Sequence, residues 1–153
     1  MRSAFLSLLL AAPAVAQDRV AGSDPQSPAD ERTSFTLPPG FEAQLVAADP
    51  DIGKPIQMAF DARGRLWVTT SRHYPFAAEA GKASDRLFVL ADFGPDGKAK
   101  TITTFAADLN IPIGILPLPD GNSCLVSEVG RILKLTATDG DGKADKREVL
   151  LSG

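Results

Sequence analysis

An internal repeat limits what this chain can fold into more than any other feature. Arg86-Leu87-Phe88-Val89-Leu90 aligns without gaps on Arg131-Ile132-Leu133-Lys134-Leu135. Asp96-Gly97-Lys98-Ala99 aligns on Asp141-Gly142-Lys143-Ala144 at the same offset of 45 residues. A period of about 40–50 residues with strand-like content is the mark of stacked propeller blades. Upstream the order recurs more loosely. Ile56 to Phe60, the turn Asp61-Ala62-Arg63-Gly64 and Leu66-Trp67-Val68-Thr69 correspond to Ile113 to Leu118, Pro119-Asp120-Gly121-Asn122 and Cys124-Leu125-Val126-Ser127. Asp-Gly turns between apolar runs signal hairpins, because glycine accepts the positive φ that tight turns require.

The repeat predicts two modules of four antiparallel strands. The first has strands near 56–60, 65–70, 86–91 and 100–105; the second near 113–118, 124–128, 131–136 and 146–151. The fold class is therefore all-β, an incomplete β-propeller of about two blades. Two blades do not close a ring, which usually needs about four to eight. The chain reads as the N-terminal part of a longer protein, with residues 35–153 as its propeller portion.

The N-terminus reads as an export signal. Arg2 precedes a short apolar run from Ala4 to Ala12, Pro13 ends it, and Ala14-Val15-Ala16 is a small-residue cleavage site before Gln17. Residues 1–16 form the signal in this reading, and 17–34 a polar, flexible leader. No later stretch is apolar enough to span a bilayer. The expected location is periplasmic or secreted. With 16 basic and 19 acidic residues and no basic stripe, nucleic acid is excluded as a natural partner. The single Cys124 allows no internal disulfide and reads as a small buried hydrophobe. Trp67 reads as core.

In meandering blades the first and third turns share one face, and the remaining loops share the other. Long loops on a rigid scaffold carry function more often than tight hairpins. The candidate site therefore falls on the face holding Ser71 to Asp85 and Asp108 to Pro112. His73, the only histidine, could act there as a general base. Arg72 could fix an anionic group, and Tyr74 could stack or donate. The plainer reading, an exposed loop histidine, carries more weight. Gly114 either lets a ligand approach the backbone or relieves crowding between blades; the latter is the simpler view.

On the opposite face, Asp139, Asp141, Gly142, Asp145 and Glu148 follow calcium-loop spacing. Ala137 stands at the first ligand position and cannot ligate. A polar Asp-Gly hairpin explains the same residues without metal.

Taken in order, several stretches resemble the start of the membrane-bound dehydrogenase family. They are Phe35-Thr36-Leu37-Pro38-Pro39-Gly40-Phe41-Glu42, Met58-Ala59-Phe60-Asp61, Gly64 to Val68, Tyr74-Pro75, Leu109 to Gly114, Val126 to Ile132 and Thr138 to Asp145. That family's propeller is similar to soluble glucose/sorbosone dehydrogenases. The resemblance covers about residues 35–153. It implies a six-bladed propeller, a pyrroloquinoline quinone (PQQ) cofactor, oxidation of a sugar or alcohol, and an extracytoplasmic location. Arg72, Tyr74 and Asn110 are the candidate cofactor contacts and His73 the candidate base. Family members often continue into helical-repeat and c-type cytochrome domains. No C-x-x-C-H haem motif occurs in these residues. Two rivals stand beside the dehydrogenase reading: a non-catalytic propeller that binds carbohydrate or protein, and a lactonase-like metal hydrolase, for which Asn110 and Glu128 would be ligands.

Overall fold

The computed structural model describes residues 24–153. The expected signal at 1–16 lies outside the described residues. One short helix, α1 (Pro28–Ser34), precedes eight strands: β1 (Pro55–Phe60), β2 (Leu66–Thr70), β3 (Asp85–Phe93), β4 (Ala99–Leu109), β5 (Gly114–Pro117), β6 (Ser123–Glu128), β7 (Arg131–Thr136) and β8 (Lys146–Ser152). They form two four-stranded sheets in the orders β1-β2-β3-β4 and β5-β6-β7-β8, every neighbouring pair antiparallel. This is the incomplete β-propeller expected from the repeat. The longest departure is β4, which runs on to Leu109 across register shifts opposite β3.

The helix is a finding that the sequence reading did not anticipate. Ser27 caps it, its side chain accepting from the Asp30 N–H, with proline in the first turn and Asp30 and Glu31 beside it. These are local effects. The helix buries no residue, so its form owes nothing to the sheets.

Aspartate fixes the hairpin turns. Asp61 Oδ1 accepts from the N–H groups of Arg63 and Arg65, and Asp120 Oδ1 accepts from Asn122 and Ser123. Gly64 (φ 74°) and Gly121 (φ 70°) supply the positive φ that closes them. Gly121 has a second reason to be glycine: a Cβ there would lie 2.5 Å from Arg63 Cζ of the other sheet.

The sheets pack face to face. Trp67, Leu87, Val89 and Phe105 of the first meet Cys124, Val126, Leu133 and Leu135 of the second in one buried cluster. Trp67 is fully buried as expected, edge-on to Phe105 at 4.6 Å. Cys124 is buried too, and burial pushes its thiol up to about 12. The far face of the first sheet (Leu66, Val68, Phe88, Leu90) packs under an arm, the segment between α1 and β1, at Val46, Ala47 and Ile52.

The packing is head to tail. Phe88 and Leu90 of the first sheet correspond by the repeat to Leu133 and Leu135 of the second. The former pair faces the arm; the latter faces the first sheet. Each sheet thus turns the same side backwards and the other side forwards, the rule for consecutive units around an axis. The forward side of the second sheet leaves Leu116 and Leu151 exposed.

Candidate functional site

The two poles are set by bonds between the sheets. At one pole Arg63 Nη2 donates to Asp120 O at 3.0 Å, and Arg65 Nη2 donates to Gly121 O. Asp61 anchors this latch. Its carboxylate also accepts from Arg65 Nε at 2.7 Å and from Trp67 Nε1 at 2.9 Å. Burial pushes the Asp61 carboxyl up, but the bonds from Trp67, Arg65 and Arg63 outweigh it and hold it below its ordinary value.

At the other pole Asp85 is the centre. It is 2% exposed and opens β3. Its carboxylate accepts from Ser71 Oγ (2.6 Å), Arg72 N (2.8 Å) and Ile111 N (2.9 Å). One buried carboxylate therefore ties the loop after β2 to the crossover between the sheets. Ile111 is a β-branched residue at φ 50°, a conformation that costs about 1–3 kcal/mol and persists where surroundings enforce it. The Asp85 bond to its N–H is part of that enforcement.

A second buried carboxylate, Glu128, is 5% exposed at the end of β6. It accepts from Asn110 N at 2.8 Å and pairs with Arg131. Asn110 in turn clasps the long loop: its Oδ1 accepts from Ala78 N at 3.0 Å and its Nδ2 donates to Ala78 O at 3.1 Å.

The expected site residues are placed as follows. Arg72 to Tyr74 and Asn110 lie at the same pole, joined through Asp85 and Ala78. His73 is half-buried, and its Nε2 is 2.9 Å from Ser84 Oγ; the donor in that bond depends on the tautomer. Tyr74 is 54% exposed, with Lys54 Nζ 5.8 Å from its ring centre and donating to its carbonyl. Asn110 bonds Ala78 with both amide atoms and so ties the loop to the crossover, with one N–H and one acceptor lone pair of its amide left over. Gly114 is crowded within its own sheet: a Cβ there would stand 3.0 Å from Ser127 Cβ.

Asp139, Asp141, Asp145 and Glu148 do not fit a calcium centre as they are placed. Asp139 and Asp141 accept from the backbone of Asp141 and Lys143, closing the turn. Asp145 accepts from the hydroxyl and N–H of Thr138, and the hydroxyl bond chiefly holds its carboxyl below the ordinary value. Glu148 pairs with Lys146 on β8. Among the described residues no three His, Cys, Asp or Glu side chains converge to hold a metal. Of the two residues that organise this loop pole, Asp85 was not singled out from the sequence, and Glu128 was considered only as a ligand in the lactonase-like reading. Their signal is weak there: an acid at a strand boundary.

Fold and poles together define the class: consecutive antiparallel blades of a propeller-related protein, with one loop face cross-tied by buried carboxylates. Residues 27–153 match the family model described as Domain of unknown function (DUF7133), and the chain belongs to that family. No curated protein matches the sequence. The iodide structure of Trichoderma reesei Carbohydrate-Active Enzymes Family AA12 is similar at 21% identity and a TM-score of 0.51, over 72% of this chain and 25% of that one. The calcium structure of the same enzyme family aligns at 21% identity and a TM-score of 0.50, over 71% and 25%. The holo form of the pyranose dehydrogenase PQQ domain from Coprinopsis cinerea aligns at 18% identity and a TM-score of 0.47, over 67% and 22%. The likeness to the two AA12 structures is one of fold alone. The chain spans about a quarter of the length of these structures. Among the described residues no helix is long and apolar enough to cross a membrane.

Proposed function

We propose that the chain is the N-terminal part of an exported, quinone-dependent sugar or alcohol dehydrogenase of propeller type. Residues 1–16 are its signal and 35–153 its first blades. The observation that carries the reading is the loop pole. Asp85 fixes Arg72 and Ile111 on one carboxylate, which holds the His73 loop beside the crossover at Asn110. The fold shared with the carbohydrate-active enzymes of family AA12 supports it.

The residues fit a quinone in part. Arg72 and Tyr74 are exposed and able to meet an anionic, planar group, whereas Asn110 is held by its two bonds to Ala78 and has one N–H and one lone pair to offer. PQQ, when bound, would supply the two-electron acceptor. His73 would take the substrate hydroxyl proton, and Ser84 would orient its ring. No calcium step is included, because the acidic turn closes on itself. A c-type cytochrome domain farther along the protein would be the natural electron partner. The chain by itself is expected to be inactive.

The test is reconstitution of the full native protein with PQQ, followed by dye reduction with a panel of sugars and alcohols. The reading expects quinone binding and turnover that His73→Ala abolishes. Absence of both binding and turnover removes it.

A further inference from the structure

The two sheets differ at one register position, and the difference leaves a gap with a definite chemistry. In the second sheet Glu128 pairs across the ladder with Arg131; in the first sheet the same rung is Thr70 and Arg86. The repeat aligns Arg86 with Arg131, so Thr70 stands where the second sheet has Glu128. The surroundings correspond as well. Val129 N donates to Asn110 O at 3.0 Å, and Ser71 N donates to Lys54 O at 3.0 Å, which makes Lys54 the counterpart of Asn110.

In the second sheet the glutamate carboxylate satisfies two donors at once, the Arg131 guanidinium and the Asn110 N–H. In the first sheet both donors remain and the carboxylate is gone. Among the described residues Arg86 has no ion-pair partner within 4.0 Å and Lys54 N–H has no acceptor. Lys54, Thr70 and Arg86 line one cleft of about 120 Å³, with Arg72 on its wall. Two acids also line it. Asp85 is committed to Ser71, Arg72 N and Ile111 N, and Asp51 is exposed.

We infer that this cleft binds a carboxylate, held by the Arg86 guanidinium and the Lys54 N–H in the place Glu128 occupies in the second sheet. The geometry suits it: a guanidinium offers a carboxylate two parallel donors, and such charge-assisted bonds are stronger than neutral ones. The cleft opens on the arm side of the first sheet, beside Phe88 and away from the second sheet; it shares Arg72 with the proposed quinone contacts, while Arg86 and the Lys54 N–H play no part in that reading. The carboxylate has two sources, a small free acid or an acidic side chain from elsewhere in the same protein.

Calorimetric titration of the full native protein with sodium oxalate, at constant ionic strength against sodium chloride, separates them. A free-acid site gives saturable oxalate binding, weakened about tenfold or more by Arg86→Gln. Thr70→Glu, which restores the missing internal carboxylate, should block it. A side-chain occupant gives no oxalate binding in the wild type, but a Tm lowered by Arg86→Gln and restored by Arg86→Lys. Absence of oxalate binding with an unchanged Tm in Arg86→Gln overturns the inference. So does oxalate binding that Arg86→Gln leaves intact.

Discussion

The two sheets share strand order, rung register and turn chemistry, yet they treat the loop after their second strand differently. In the second sheet β6 passes to β7 through only Val129 and Gly130, and Glu128 closes on Arg131 within three residues. In the first, β2 and β3 are separated by residues 71–84, and the buried acid that organises the pole is Asp85, on the far side of that loop. The second sheet closes its arginine locally, and its glutamate also takes the Asn110 N–H of the crossover. The first spends its buried carboxylate on tying a long loop to the neighbouring blade and leaves Arg86 open. A repeat that is otherwise faithful has been loosened at one pole, which is where binding and catalysis accumulate on rigid scaffolds.

The largest expected effect tests which faces meet. Trp67→Ala should cost about 3–5 kcal/mol in denaturant unfolding, as for other buried aromatics. Leu125, its repeat counterpart, lies half-buried on the forward side of the second sheet, and in the 153-residue chain Leu125→Ala should cost less than half as much. Equal costs would break the head-to-tail assignment. Asp85→Ala comes next. It strands three donors, each worth about 1–3 kcal/mol when left unpaired, so a loss of about 3 kcal/mol is expected. Proteolysis should then cut first within 71–84.

Asp61→Asn is expected to cost about 1–3 kcal/mol near neutrality. Its sign with pH follows from the depressed carboxyl. The Asp61 contribution is present above the unfolded value of 3.8 and is lost as pH falls through the lower folded value. Wild-type stability should therefore drop through that acid range more steeply than that of the variant. The smallest effect concerns Cys124. With its thiol raised to about 12, it should resist a thiol-specific dye at pH 8 until the protein unfolds.

The strands were legible in the sequence because their signals are local. Alternating apolar residues, Asp-Gly turns and a repeat together leave few alternatives. The burial of Trp67 and Cys124 was legible for the same reason. The organisation of the loop pole was not. Asp85 reaches Ser71 across 14 positions and Ile111 across 26, and no pattern along the chain announces such a set of three hydrogen bonds. Asn110 was singled out as a candidate cofactor contact; only folding reveals that its amide also bonds Ala78 at both atoms. The acidic turn matched calcium spacing, but spacing does not show the bonds its carboxylates make to nearby donors. The α1 cap at Ser27 was a local signal hidden by the polar composition around it.

The central claim is that the His73 loop and the Asn110 crossover share one pole while Arg63 and Asp120 share the other. Paired cysteines introduced into the native protein, with Cys124 replaced by alanine, test this with a short bifunctional thiol reagent. Ala78→Cys with Asn110→Cys should cross-link rapidly, as should Arg63→Cys with Asp120→Cys, while Ala78→Cys with Asp120→Cys should not. A rapid link in that last pair, with slow reaction in the first, would contradict the account.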